Sequence, residues 1–229
     1  MGISDKIPCF VIVIRDNEAS EYYYDYIESS WTDHGFKLTR FDAITPKDLP
    51  HLSDLQFHHH TSQKYQSVNY NKPFSDTEKA VWYSHYMLWN KCVELGTPII
   101  VVEHDVLLLN AHHMEIYDDG FDFITFDNSF GCYYITPKLA TLLISNAKRG
   151  VHTGPYGFTE MTARTHNIPH IDSEDPLFRK CAIQVLSRKY GLTNDRYSDE
   201  DMEIISKALK HDQQRIELFK NNYRFLSIP

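Results

Sequence analysis

The sequence is most informative at Pro98-Ile-Ile-Val-Val-Glu-His-Asp105. An unbroken apolar run of this length is typical of a strand that is buried on both faces of a sheet. Three polar residues, Glu103, His104 and Asp105, follow the run directly. In open α/β sheets, ligands bind outside the carboxyl ends of the strands. We therefore expect a central strand with a functional site at its carboxyl end.

Strand and helix patterns alternate on the N-terminal side of this stretch. Phe10–Ile14 is a second apolar run, Ala19–Trp31 has helical spacing, and Phe36–Phe41 alternates as a strand does. Ser75 and Glu78 then form a capping box, in which each side chain binds the backbone N–H of the other residue. This alternation predicts an α/β protein.

The capping box predicts the start of a long helix that ends at Gly96 and Pro98. Spacing puts one set of side chains on a shared face of this helix. The set is Val81, Ser84, His85, Leu88, Cys92 and Leu95.

On the C-terminal side, Phe121–Phe126 and Tyr133–Ile135 are predicted to be strands. Thr136 as N-cap and Pro137 in the first turn predict a helix to Ala147. A shorter helix is predicted around Phe158–Thr165. The whole pattern fits a Rossmann-like mixed sheet that is flanked by helices.

Two segments stand apart from this pattern. Residues 42–74 are polar and aromatic, and long segments of this kind are more often functional flaps than simple connections. At the other end, Ser198 caps a long amphipathic helix that reaches about Tyr223. We expect an α/β domain over residues 1–190 and a helical extension over 191–229, which could serve as an oligomer contact.

Composition restricts the kinds of protein that the chain can be. The net charge is −8, from 31 acidic and 23 basic residues, so a broad non-specific grip on nucleic acid is not expected. No apolar run approaches the roughly 20 residues that span a bilayer. The 4 cysteines form no CxxC pair, and Met1–Lys6 does not resemble a signal peptide. These features predict a cytoplasmic protein without a membrane span.

The acids after the central strand point to metal chemistry. Along a strand, side chains alternate, so Glu103 and Asp105 are expected on one side and His104 on the other. Paired carboxylates suit Mg²⁺ or Mn²⁺, and such an ion can in turn bind a diphosphate. The spacing alone does not separate this reading from a solvated loop.

The neighbouring residues resemble the pattern of glycosyltransferase family 25, the lipooligosaccharide and collagen-type galactosyltransferases. In that family an acid-led helix, roughly E-x-x-x-x-x-S-H-x-x-x-W, precedes a hydrophobic strand that ends in E-D-D. The helix positions are matched by Glu78, Ser84, His85 and Trp89, and the outer acids by Glu103 and Asp105. His104 replaces the middle acid.

Two weaker matches extend the resemblance over about residues 8–145. Phe36–Ile44 is similar to the family's second strand, with Arg40 and Ala43 in its R-x-x-A ending. Gly131–Ala140 is similar to a further family stretch, with Tyr134 in or near its tyrosine position.

The resemblance implies a metal-dependent glycosyltransferase with a GT-A fold. It would move a sugar from a nucleotide-diphosphate donor, a uridine-diphosphate sugar being favoured, to a hydroxyl acceptor such as a glycan. Mn²⁺ or Mg²⁺ would be held by Glu103 and Asp105. The donor-binding residues would be Arg15, Asp16, Ser84 and His85, together with Glu103.

An inverting reaction would also need a general base for the acceptor hydroxyl. Glu160, after the glycine-rich loop, and Asp127, after a predicted strand, are the candidates. His170 and Asp172 lie near them in sequence, and His152 or His170 could supply a third metal ligand. A surface acid or a loop histidine without a role explains each of these residues equally simply.

Two other functions remain open at this point. A bacteriophage enzyme could glycosylate a hydroxymethylated base in DNA, flipping the base out of the stack. Basic residues are concentrated after residue 147 and could form a local phosphate-binding face: Lys148, Arg149, Arg164, Arg179, Lys180, Arg188 and Lys189. Alternatively, because His104 departs from the family pattern, the fold could be a non-catalytic assembly module that uses its C-terminal helix.

Three consecutive histidines, His58, His59 and His60, form a further candidate metal patch. Consecutive side chains do not share a face in regular structure. A solvated loop is therefore the expected conformation.

Overall fold

The computed structural model describes residues 7–61, 71–109, 120–126, 131–171 and 181–184. Within these ranges the main sheet has six strands, in the order β2-β1-β5-β8-β7-β9. Their bounds are β1 Cys9–Val13, β2 Leu38–Asp42, β5 Ile99–Glu103, β7 Phe123–Thr125, β8 Cys132–Ile135 and β9 His170–Ile171.

The sheet is mixed. β1 pairs in parallel with both β2 and β5, whereas β8 runs antiparallel to its neighbours β5 and β7. β7 and β9 are parallel. All four residues Ile99–Val102 are completely buried, so β5 is the central strand that its sequence predicted.

Each face of the sheet has its own hydrophobic core. Alternate residues of β1 divide between the two cores, with Ile12 on one face and Val11 and Val13 on the other. Helix α1 (Glu18–Asp33) packs on the second face through Ile27 and Trp31. The other three helices, α2 (Asp76–Leu95), α3 (Pro137–Ala147) and α4 (Pro155–Thr165), contribute to the first core. The predicted α/β architecture, a mixed sheet flanked by helices, is confirmed.

Helix α2 begins and ends as predicted. The Ser75 hydroxyl accepts from the Glu78 N–H, the Glu78 carboxylate accepts from the Ser75 N–H, and Gly96 closes the helix with a φ of 64°. Of the side chains expected to share one face, Val81 and Leu95 are exposed, whereas the other four are buried. Large aromatic side chains, among them Trp82, have more apolar area to bury, so they rather than Val81 and Leu95 set the buried face.

Helices α3 and α4 follow their predicted signals. Thr136 caps α3, with Pro137 in its first turn. α4 starts at Pro155, three residues earlier than expected, with Gly154 as its N-cap. Proline in the first helical turn costs no hydrogen bond, so the loop ends there and Gly157 lies inside the helix.

The segment over residues 42–74 contains short elements in its described part. A 3₁₀ turn covers Leu49–His51, and β3 (His59–Thr61) pairs antiparallel with β4 (Asn71–Pro73). Phe57 forms a parallel bridge with Val151, which joins this segment to the loop before α4. A second ribbon is formed by β6 (Val106–Leu108) and β10 (Ala182–Gln184).

Three further expectations concern the C-terminal extension, membrane-spanning helices and the cysteines. The extension over 191–229 and its long helix lie outside the described residues, so that domain division stays a prediction. No helix in the described ranges has the length and apolar character to cross a membrane. All four cysteines are buried as thiols, and burial raises the pKa of Cys9 and of Cys92 to about 12.

Candidate functional site

Three parallel strands end at the same edge of the sheet. β1 lies between β2 and β5: the chain that leaves the carboxyl end of β1 continues to β2 on one side, whereas the chain that leaves the carboxyl end of β5 continues to β7 and β8 on the other. The crevice between the carboxyl ends of two such strands is the usual ligand site of an open α/β sheet. Ile14 and Arg15 follow β1, and Glu103 is the last residue of β5. We take this edge, between β1 and β5, as the candidate site.

Glu103 combines a fixed backbone with a partly accessible carboxylate. Its N–H donates to the carbonyl of Gly131 over 2.7 Å. Its side chain is 27% exposed, and Oε1 lies 3.7 Å from Nε2 of His85 on α2. A carboxylate held in this way can meet a ligand from solvent while one of its oxygens faces an imidazole.

His85 is buried beneath this carboxylate, at 2% exposure. Its Nδ1 lies 2.9 Å from the hydroxyl of Tyr133 on β8. The indole N–H of Trp89 donates to the same hydroxyl oxygen over 3.0 Å. Trp89 is thus a core residue, and His85 connects that core to the candidate site. We call Trp89, Tyr133, His85 and Glu103 the buried relay.

His104 and Asp105 form a turn rather than a continuation of the strand, since β5 ends at Glu103. The His104 ring lies 6.4 Å from the ring of Tyr23 on α1, whereas Glu103 contacts α2 on the opposite face. Asp105 is buried, at 1% exposure. Strand alternation therefore explains why Glu103 and His104 lie on opposite faces of the sheet. It does not predict the position of the Asp105 side chain, because Asp105 lies beyond the end of β5.

Ser84 is held between two backbone segments. Its hydroxyl accepts from the Ile44 N–H over 2.9 Å and donates to the Ala80 carbonyl over 3.0 Å. The residue is 2% exposed. These contacts fix the chain after β2 against α2, and a donor-binding role for Ser84 stays a prediction.

Arg15 and Asp16 are exposed residues at the carboxyl end of β1. The Arg15 guanidinium lies 3.7 Å from the carboxylate of Asp42, the last residue of the parallel strand β2. Asp16 has a φ of 58°, a left-handed conformation that aspartate tolerates better than most residues. Both residues are at the predicted edge, where they could contact a donor.

A set of ion pairs lies beside these residues. Arg40 donates to both carboxylate oxygens of Glu21 over 2.5 and 2.6 Å, and to Asp42 over 2.9 Å. The hydrogen bonds from Arg40 lower the pKa of Glu21. We call Glu21, Arg40 and Asp42 the exposed ion-pair chain.

The candidate general bases are only partly described. Glu160 lies on α4, half-buried, and pairs with Arg164 one turn later. Asp127 and Asp172 fall outside the described residues. Nδ1 of His170 is within 2.8 Å of the Ile168 carbonyl. No general base is therefore assigned, and Glu160 and Asp127 both stay predictions.

His59 and His60 lie in strand β3, paired with β4, rather than in the loop that we expected, whereas His58 and His59 are exposed to solvent as expected. The His58 ring stacks on the ring of His152, with centroids 4.5 Å apart. Of the seven basic residues proposed as a DNA-binding face, Lys148, Arg149 and Arg164 are described, and Arg164 already pairs with Glu160. No observation here favours a DNA acceptor.

The prediction that Glu103 and Asp105 bind Mg²⁺ or Mn²⁺ can be compared with the side chains that the structure describes. Among the described residues, no group of three or more His, Cys, Asp and Glu side chains could hold a metal ion. A closed protein cage of the zinc type therefore does not fit these residues. Mg²⁺ and related ions commonly use one or two carboxylates and take their other ligands from water and substrate phosphates. The partly exposed carboxylate of Glu103 fits that second arrangement, whereas a metal-binding role for the buried Asp105 stays a prediction.

No sequence motif singled out Tyr133. The resemblance placed Tyr134 in or near the family's tyrosine position, but Tyr134 belongs to the core on the α1 face, whereas Tyr133 contacts His85. The alternation of β8 could have separated the two residues, since Tyr133 pairs with Val101 and Tyr134 with Ile100.

Comparisons with known proteins place this site in context. No curated protein matches the chain significantly. Among solved structures, the chain is similar to a glycosyltransferase involved in the glycosylation of the major capsid of PBCV-1. The two share 10% identity with a TM-score of 0.41, over 72% of this chain and 81% of that chain. The sequence model of glycosyltransferase family 25 (LPS biosynthesis protein) matches residues 19–130, which include α1, α2 and β5. Residues 19–130 are thus similar to glycosyltransferase family 25, the family that the helix and strand motifs of the sequence resemble.

Proposed function

We propose that this protein transfers a sugar from a nucleotide-diphosphate donor to a hydroxyl acceptor, with Mn²⁺ or Mg²⁺ at Glu103 and Asp105. The observation that carries the proposal is the place of Glu103. It ends the central strand of a family 25 segment, at the switch point between β1 and β5, with its carboxylate accessible.

The charges at this edge support a requirement for a cation. The acids Asp16, Asp42, Glu103 and Asp105 lie at the ends of the three parallel strands or directly after them. Two cations beside them, Arg15 and Arg40, already pair with Asp42. A diphosphate brought here would be repelled unless a positive charge came with it. A bound divalent ion supplies that charge and stabilises the departing diphosphate.

The residues of the chain have separate roles in this proposal. Glu103 and Asp105 hold the cation, and Arg15 and Asp16 contact the nucleotide at the end of β1, where a GT-A arrangement would place it. His85 supports Glu103 from below. Glu160 is our candidate for the base that takes the proton of the acceptor hydroxyl. Because the matched family is described as an LPS biosynthesis family, we propose a glycan hydroxyl as the acceptor.

A thermal-shift experiment tests the donor and the cation together. A ligand that binds only the folded state raises the melting temperature, and the rise grows as the ligand concentration exceeds the dissociation constant. We expect a uridine-diphosphate sugar to stabilise the full chain with Mn²⁺ and not without it. Glu103→Gln and Asp105→Asn should each abolish the shift.

Glu94→Gln is the matched control, because Glu94 is an exposed acid on α2 whose side chain pairs only one turn away, with Lys91. It should leave the shift intact. If Asp105→Asn keeps a full response to donor and Mn²⁺, the cation site has been misplaced. If wild type binds the donor but never releases nucleotide, the chain is a binding module and the proposed reaction is wrong.

A further inference from the structure

Four side chains in series connect the core to the candidate site. Trp89 on α2 contacts Tyr133 on β8, Tyr133 contacts His85 on α2, and His85 contacts Glu103 on β5. Trp89 and Tyr133 are completely buried and His85 nearly so. Buried polar groups of this kind are expensive unless they are paired, so their geometry restricts where each proton can lie.

The direction of these contacts follows from the chemistry of each group. An indole N–H can only donate, so the Tyr133 oxygen accepts from Trp89. Burial raises the pKa of Tyr133 well above its usual value, so the phenol keeps its proton. Nδ1 of His85, 2.9 Å away, is placed to accept that proton in a hydrogen bond. An imidazole that accepts at Nδ1 carries its own proton at Nε2 when neutral.

We propose that Trp89 and Tyr133 are positioning residues, which fix His85 as the Nε2–H tautomer and so direct an N–H at the carboxylate of Glu103. This assignment uses only contacts within the chain. Its consequence for cation binding, argued next, rests on the proposed function.

The separation of His85 Nε2 from Glu103 Oε1, 3.7 Å, is longer than a hydrogen bond. Contacts in catalytic sites are often long before the ligand arrives and shorten in the complex. A directed N–H at this distance limits the rotation of the carboxylate, so its oxygens are already oriented when a cation binds. Loss of such outer partners typically weakens metal affinity or activity by roughly 10–100-fold.

Histidine ¹⁵N NMR of the full chain tests the tautomer directly. Long-range ¹H–¹⁵N correlations separate a protonated ring nitrogen from an unprotonated one, and His85→Gln identifies the signals of His85. We expect an unprotonated Nδ1 and a protonated Nε2 in the wild type. A wild-type spectrum with the proton on Nδ1 would overturn the proposal without any further variant.

Variants test the control of this tautomer by the relay. Tyr133→Phe removes one hydroxyl and should move the His85 signals towards a mixture of tautomers. Tyr134→Phe makes the same change to the next residue of β8, on the opposite face of the sheet, and should leave them unchanged. Signals that are identical in Tyr133→Phe and wild type would contradict the proposal. If Tyr133→Phe does not fold, Trp89→Phe asks the same question, because it removes the N–H that occupies the Tyr133 oxygen.

A second readout separates this inference from the proposed function. With a uridine-diphosphate sugar, the Mn²⁺ concentration that gives half of the thermal shift should rise about tenfold in Tyr133→Phe. An unchanged Mn²⁺ requirement together with a changed tautomer would show that the relay does not position Glu103. If even the wild type shows no donor-dependent shift, the proposed function fails, and the NMR spectra still decide the tautomer.

Discussion

Two chains of polar contacts lie beside the same edge of the sheet, and they differ in their access to water. In the exposed ion-pair chain, Glu21, Arg40 and Asp42 have side chains that are 34–44% exposed. In the buried relay, Trp89, Tyr133 and His85 are at most 2% exposed, and only Glu103 reaches solvent. The first chain joins full charges, whereas the relay consists of an indole, a phenol and an imidazole that end at one carboxylate.

The comparison indicates that the distance between two polar groups does not measure how much their contact stabilises the fold. The Arg40–Glu21 contacts are among the shortest in the described structure, yet water screens them and can replace them. The Trp89–Tyr133 contact is longer, but neither group can find water if its partner is lost. We therefore expect stability to depend on the relay far more than on the ion pairs.

The largest effect is expected for Trp89→Ala. Removing a fully buried indole leaves a cavity and takes away the N–H that the Tyr133 hydroxyl accepts, so the free energy of unfolding should fall by about 3–5 kcal/mol. Urea denaturation monitored by circular dichroism measures this change. Trp89→Phe keeps most of the volume and should cost less; equal losses in the two variants would contradict a large cavity term.

A much smaller effect is expected for Arg40→Gln. This change removes the charge between Glu21 and Asp42, and exposed pairs contribute about 0.2–1 kcal/mol. The same denaturation assay applies, with Lys91→Gln as the control for an isolated surface ion pair within one helix. If Arg40→Gln lowers the free energy of unfolding as much as Trp89→Ala does, the solvent exposure of a contact does not predict its contribution to stability.

The smallest effect is a pH dependence that comes from Glu21. Hydrogen bonds from Arg40 lower the pKa of Glu21 below its usual 4.5. A lowered pKa in the folded state means that the unfolded chain binds more protons, so this stabilisation is present above pH 4.5 and is lost as the pH falls through the folded pKa. Wild-type stability should therefore fall slightly more steeply than that of Arg40→Gln over the acid range. If the free energy of unfolding falls with pH in the same way in both proteins, Glu21 does not contribute to the pH dependence.

The starts of α2 and α3 and the position of the central strand could be predicted, because each depends on a short stretch of sequence. Ser75 and Glu78 start α2, Thr136 and Pro137 start α3, and the run before Glu103 is the central strand. Each signal depends on residues within a few positions of one another. Residue types and spacing were also sufficient to place Glu103 at the carboxyl end of a strand.

The features that could not be predicted depend on contacts between segments that are far apart in the sequence. His85 and Tyr133 are 48 positions apart, and no short motif links them. The buried turn at Asp105 could not be foreseen, because strand alternation was extended beyond the last residue of β5. The metal ligands, the donor and the general base remain predictions for the same reason, since they depend on atoms that local pattern does not bring together.

The pairing of β5 has a consequence for how this protein can be divided. Both neighbours of the strand, β1 (Cys9–Val13) and β8 (Cys132–Ile135), lie outside the matched residues 19–130. A fragment cut at those limits would present two bare edges on its most apolar strand, which favours aggregation over folding. The segment that identifies the family is therefore not a unit that could be expressed, transplanted or inherited alone.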